Sequence, residues 1–447
     1  MARDRIIYQS ESLYTSLIDP AGTGAIIHSD MKEINRVQDM SYNLEVTRTD
    51  INEFGQLAAL SREVTEPPTV SLDFSYYLTN GIEEKNLGFE TNNAKTMPVT
   101  TANPFMKSLL DPDATGSGFE AAKADELNYY IVTTKEGNDL HGKTSVKGAD
   151  QGCIAIGNGF ITSYGISASV GELATASVSV EASNILFKNN IASNMANPAI
   201  DVDSTTGAKL GTATSVDFGS LASSKNKSTH LVSSNEVFAL RPGDISIDFD
   251  ATGYFADASN AGGLQLGGPI LPGQGTDSSH GSKTAMHVQS VSLDLPISRT
   301  PLTKLGSHFP FARKIDFPVT VTLSVSALMA DFDDGSLDTL ICNAEEKRDI
   351  ALVMKDRCGS GEALTWVLRN AILDSESFSA SIGDNKSVDL TFSGQIGGAN
   401  DITNGVFSFT NMTSAPGAYD PDGTPTLTVT PSVSVTPSVT PSVTLTP

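Results

Sequence analysis

At 447 residues, 39% of them hydrophobic, the chain is long enough for two or three domains with a sizeable core. Its 52 Asp and Glu against 29 Lys and Arg give a net charge of -23. That balance excludes a surface built to wrap nucleic-acid phosphates, because such attraction needs clustered cations.

The opening MARDRIIYQSESLY lacks the apolar core of a signal peptide, and no run approaches the ~18 apolar residues of a membrane helix. A soluble chain is expected. Residues 41–49, SYNLEVTRT, alternate strictly, with Tyr42, Leu44 and Val46 against Ser41, Asn43, Glu45 and Thr47. Residues 69–77, TVSLDFSYY, answer with Val70, Leu72, Phe74 and Tyr76 on one face and Ser71, Asp73 and Ser75 on the other. Period two predicts two half-buried strands, and the 20-residue connection makes a long hairpin with an elaborate loop.

An insertion follows at 82–125. Within it Asn103 can cap and Pro104 can open a helix that Pro112 closes, and NYYIVTTKE then reads as a strand. A second hairpin turns at Gly171-Glu172, with Tyr164, Ile166, Ala168 and Val170 leading into Ala176, Val178 and Val180. Residues 186–286 are a Gly/Ser/Asn-rich connector with one strand pair expected near VFALRPGDISIDFD.

The first hairpin then recurs. Arg48, Gly55, Arg62 and Pro67 have counterparts at Arg299, Gly306, Arg313 and Pro318, each 251 residues on. Val291, Leu293, Leu295 and Ile297 face inward with Val319, Val321, Leu323 and Val325; Ser292, Asp294, Thr320, Thr322 and Ser324 take the other side. A helix is expected over 334–349, where Leu337, Leu340, Ile341 and Ala344 share a face, and DIALVMKD follows as a strand. The last hairpin turns around Gly383-Asp384-Asn385, residues that tolerate positive φ. Prolines every few residues make the Thr/Pro/Ser/Val end, 416–447, an extended tail.

The order hairpin, helix, strand, hairpin thus occurs twice. The expected fold is mainly β with minor α, as two tandem β-barrel or sandwich domains at 1–185 and 287–415. Each would carry long inner-sheet hairpins and one flanking helix.

Motifs for chemistry are missing. Cys153, Cys342 and Cys358 form no C-x-x-C pair, their odd number gives no disulfide framework, and this fits a reducing compartment. The six histidines form no H-E-x-x-H and pair with no nearby cysteine. DFDATG begins like a calcium loop, but Ser259 stands where a chelating Glu is needed. GNGFIT is followed by a strand, which removes the helix N-terminus that a phosphate uses. The carboxylates lie singly rather than in pairs, so glycosidase chemistry has no support. No catalytic site, metal or cofactor is expected.

The outward strand faces say more. They hold Glu45, Asp73, Glu181, Asp294 and Asp389 among Ser, Thr and Asn, without Lys or Arg. A surface that must not hold a polyanion has that composition.

FITSYGISASVGELATASVSVEASNI and ILDSESFSASIGDNKSVDLTFSGQIGG resemble the inner-sheet hairpins of phage tail tube (major tail) proteins. The likeness covers roughly residues 37–184 and 287–397, and the repeated order of elements carries it. It implies a structural virion protein, not an enzyme, assembled in the host cytoplasm into stacked rings that conduct DNA. It implies self-association into trimeric, pseudo-hexameric rings and contacts with tape measure, terminator and baseplate or tip proteins. Double-stranded DNA would pass without specific binding, and no membrane is involved. The five acidic residues would face the lumen, while Arg48, Gly55, Arg62, Arg299, Gly306 and Arg313 would belong to inter-ring loops. A virion surface adhesin or decoration protein is the alternative.

Overall fold

The computed structural model describes residues 11–18, 25–92, 102–110, 125–135, 140, 147–200, 215–219, 240, 245–248, 286–306, 309–329, 347–355, 362–379 and 387–410. In chain order the strands are β1 (Glu11–Leu17), β2 (Ala25–Ile27), β3 (Lys32–Ile34), β4 (Val37–Glu45), β5 (Arg48–Ile51), β6 (Ser61–Val64) and β7 (Thr69–Tyr77). Two short helices, α1 (Ile82–Asn86) and α2 (Lys107–Leu110), precede β8 (Leu127–Thr134), β9 (Gln151–Ser169), β10 (Thr175–Ala182) and β11 (Asn184–Lys188). β12 (Met195–Ala196), β13 (Ser215–Asp217) and β14 (Ile245–Asp248) are brief. The second half holds β15 (Met286–Pro296), β16 (Arg299–Leu302), β17 (Ala312–Ile315), β18 (Thr320–Met329), β19 (Arg348–Lys355), β20 (Glu362–Ser379), β21 (Ser387–Gln395) and β22 (Gly405–Thr410). The fold is mainly β and antiparallel.

Eight strands run side by side in the order β20-β21-β18-β15-β9-β10-β7-β4. β4, β7, β10 and β9 come from the first half of the chain and β15, β18, β21 and β20 from the second, and the two sets join where β9 pairs with β15, Ile166 opposite Leu293 and Tyr164 opposite Leu295. The alternation in the sequence explains the result. One face buries Val70, Leu72, Phe74, Val178, Ile166, Leu293, Val325 and Leu390, all at 4% exposure or less, in a core that runs through both repeats. Each such side chain contributes about 1.5–3 kcal/mol, and a one-residue slip would expose the whole set.

β9 and β20 are long because each serves two layers. The first half of β9 pairs with β8 and β11, and its second half with β10 and β15. β20 does the same with β19 and β22, then with β21. The change of layer falls at Asn158 and at Asn370, 212 residues on, with φ of 56° and 52°. Asn is among the few L-residues that enter this left-handed region readily. Side-chain amides pin both bends: Asn158 Nδ2 donates to Glu126 and to the Ile200 carbonyl (2.9 Å), and Asn370 Nδ2 donates to the Thr403 carbonyl (2.6 Å).

The insertion clasps the second repeat. Asn92 N–H donates to the Ser408 carbonyl and Phe105 N–H to the Val406 carbonyl, each at 2.8 Å, so residues on either side of 93–101 line β22. Phe105 stacks on Phe89 at 4.3 Å and meets the edge of Trp366 at 4.6 Å, while Tyr164 approaches Trp366 at 5.8 Å. These rings tie the insertion, β9 and β20 together.

Several expectations change. Tyr42 and Leu44 lie on the apolar side of the alternation, yet they are 42% and 49% exposed, because β4 is an edge strand that among the described residues pairs only with β7. The helix expected from Pro104 is the single turn α2, beginning at Lys107. α1 was not anticipated; its buried Glu83, Glu84 and Lys85 hide any apolar signal. β14 pairs with β19 rather than within the connector. The helix over 334–349 lies almost wholly outside the described residues, and the Gly383 turn and the 416–447 tail lie entirely outside them.

Asn158→Ala and Asn370→Ala should each lower stability by about 1–3 kcal/mol, through forced positive φ and lost hydrogen bonds, as measured by urea unfolding. Asn→Gly at either bend should cost less, since only the hydrogen bonds are lost.

Candidate functional site: an acidic sheet face

The second face of the eight-stranded sheet is assembled by register. One row across it reads Asp39, Ser75, Ser177, Gly165, Asp294, Thr322 and Ser393, each paired with the next. Other rows pair Ser41 with Asp73 and Asp73 with Ser179, Asn43 with Ser71 and Ser71 with Glu181, Glu45 with Thr69, and Ser326 with Asp389. Parity therefore puts Glu45, Asp73, Glu181, Asp294 and Asp389 on the same face. Asp39 is a sixth acid there, and Ser75 donates to it at 2.8 Å. It was missed because the strand was read only from Ser41, although Met40 and Asp39 continue the alternation up to the shift before Asp39.

No Lys or Arg stands on this face within the eight strands among the described residues. Gly165 lets Asp294 lie close, since a Cβ there would sit 3.2 Å from its Oδ1 and 2.9 Å from Ser177 Oγ. Its own strands give this surface small hydroxyls and single carboxylates; Glu181, at one end, is met by Arg313 from the β16–β17 hairpin.

At one end of this face stand the two hairpin loops. β5 pairs with β6, Arg48 opposite Val64 and Asp50 opposite Arg62. β16 pairs with β17 in the same register 251 residues on, Arg299 opposite Ile315 and Pro301 opposite Arg313. Gly55 and Gly306 hold matching positive φ of 93° and 87° with open space around them. Beside them Phe54, Leu57 and Leu305 are fully exposed.

The arginines differ despite their equal spacing. Arg62 forms an exposed pair with Asp50 at 2.7 Å, and Arg48 is exposed. Arg299 is buried: its Nε donates to the Ile161 carbonyl at 3.2 Å, Asp125 stands 3.8 Å away, and the guanidinium lies over Phe160. Burial pushes its pKa down, opposed mainly by Asp125. Arg313 is also buried and pairs with Glu181.

One titrating group lies in the core behind the face. Glu84 Oε1 accepts from Tyr76 at 2.9 Å and from Tyr164 at 3.0 Å. Burial first, then the neighbouring Glu83 charge, raises Glu84 from 4.5 to about 7, against the pull of the two phenols. Glu83 shifts upward for the same reason, opposed by Arg36 at 3.5 Å and by Thr79. Among the described residues no group of His, Cys, Asp and Glu is arranged to hold a metal, and no helix is long and apolar enough to cross a membrane. The DFDATG stretch beyond Asp248 lies outside the described residues.

No family model and no curated protein matches the chain. Solved structures with local likeness include the anti-feeding prophage cap (AFP tube terminating cap), at 14% identity and TM-score 0.20 over 26% of this chain and 74% of that one. The tail of an empty GTA particle matches at 12% identity and TM-score 0.18, over 26% and 84%. The virion of the native gene transfer agent (GTA) particle matches at 14% and 0.16, over 24% and 76%.

The raised Glu84 pKa has a definite sign. An unfolded Glu84 ionises near 4.5 and the folded one near 7, so stability falls as pH rises through that window. Glu84→Gln should flatten the decline and make the protein about 1–3 kcal/mol more stable than the parent near pH 8, by urea unfolding. Glu83, raised by the same burial, leaves a residual slope of the same sign.

Proposed function

We propose that this protein is the repeating unit of a phage tail tube, assembling into stacked rings that conduct DNA during ejection. The observation that carries the reading is the eight-stranded sheet itself, with β4 and the second half of β20 each paired on one side only among the described residues, and an acidic face to which its own strands bring no Lys or Arg. A sheet whose two edges are complementary and head-to-tail grows until it closes into a ring.

Three chains bring 24 strands. At ~4.8 Å spacing and ~40° tilt these close to a circumference of roughly 150 Å, a backbone bore of about 48 Å and about 35–40 Å after side chains. A duplex roughly 20 Å across passes with room for water. The reading is therefore a trimer with pseudo-sixfold symmetry, each repeat forming one tube-like domain. Glu45, Asp73, Glu181, Asp294, Asp389 and Asp39 line the bore, and all but Glu181, which Arg313 neutralises, repel the passing polyanion. The exposed tips at Gly55 and Gly306, flanked by Arg48, Arg62, Arg299 and Arg313, meet the neighbouring ring. Tape measure, terminator and baseplate or tip proteins are its partners in the tail, and assembly takes place in the host cytoplasm. The role is structural and needs no catalysis.

Negative-stain microscopy of the purified protein should show rings of three chains and filaments. Discrete non-stacking oligomers would favour the adhesin or decoration reading. With Asp73→Lys, Asp294→Lys and Asp389→Lys combined, tubes should still assemble but retain DNA, with a grip that strengthens as salt falls. Release as fast as from the parent at low salt would remove these residues from the bore.

A further inference from the structure

The duplication supplies a template for contact between copies. Within the chain, the β9 edge of the first repeat meets the β15 edge of the second. Shifting by the two repeat offsets, 212 for β9 to β20 and 251 for β4 to β15, turns that internal seam into one between β20 of one copy and β4 of the next. Phe378 then stands opposite Tyr42, and Ser377 opposite Asn43. Burial follows the same logic. Leu293 and Ile166 are 2% and 1% exposed at the internal seam, while their counterparts Tyr42 and Phe378 are 42% and 51% exposed.

The arginine that anchors the internal seam has a counterpart too. Arg299 lies against β9 where the strand bulges at Thr162: its Nε donates to the Ile161 carbonyl, and Ile297 N–H donates to the Thr162 carbonyl at 2.7 Å. The β20 bulge lies at the equivalent place, and its extra residue is Asp374 instead of Thr162. Arg48, the counterpart of Arg299, and Asp374 are both exposed, and neither has an ion-pair partner among the described residues.

We propose that Arg48 of one copy and Asp374 of the next form an ion pair that locks the seam between copies. Asp374 supplies at this seam the carboxylate that Asp125 supplies to Arg299 inside the chain. The substitution has a physical reason. Phe160 and Glu181, which surround the internal arginines, become Ile372 and Ser393 at the outer seam, so neither the ring nor the acid is repeated there. The carboxylate on the bulge replaces both.

This inference rests on the tube reading, and its test separates the two. Asn43→Cys with Ser377→Cys, both on the polar face, should give intermolecular disulfides in assembled parent background, while each single variant should not. Arg48→Asp and Asp374→Arg should each cut ring and filament yield about tenfold, by microscopy and sedimentation, and the double exchange should restore it. Rings that form and crosslink in this register, but are indifferent to the single reversals or not rescued by the double, would overturn the ion pair and leave the tube reading standing. A parent protein that never forms rings or filaments would overturn both.

Discussion

The structure depends on the pairing of β9 with β15. Without it the chain would hold two four-stranded sheets, each too narrow to present a broad face. With it, the two halves share one core and one register, and the alternating polar side chains of the eight paired segments are committed to the same side. The buried Arg299 marks how firmly that junction is made, because a guanidinium is taken from water only where carbonyl, carboxylate and ring together replace hydration.

Much of this was legible in the sequence, and the reasons are local. Strict alternation in TVSLDFSYY and TASVSVEA fixes which residues are buried, since the pleat has a period of exactly two. The 251-residue spacing located the duplicated loop hairpins, whose registers agree pair for pair. What the sequence hid is non-local. Tyr42 and Leu293 have the same pattern around them, but among the described residues Leu293 has a paired strand on each side, β9 and β18, and Tyr42 on one side, β7. The bends at Asn158 and Asn370 were not foreseen, because a left-handed Asn leaves no periodic trace. The six-acid face was legible except for Asp39, which follows a bulge.

Charge is distributed by the same architecture. Arginine enters at the rim of the sheet, where Arg299 meets Asp125 and Arg313 meets Glu181 at the end of the acidic face; among the described residues the eight strands bring no Lys or Arg of their own to that face. The buried Glu84 is a different kind of cost: two tyrosine hydroxyls satisfy one oxygen, and the carboxyl keeps its proton more readily than it would in water.

The internal junction also sets an order of events during synthesis. β9 emerges more than a hundred residues before β15, and until β15 arrives its edge offers Tyr164, Ile166 and Ala168 beside open backbone donors and acceptors. An exposed apolar edge of that kind is a template for any matching strand nearby, including β4 of another nascent chain. Fusing the two repeats gives that edge a tethered partner whose local concentration exceeds that of any stranger. The connector thus acts in time as well as in space, bringing β15 to β9 from within the chain before a strand of another chain can cover that edge.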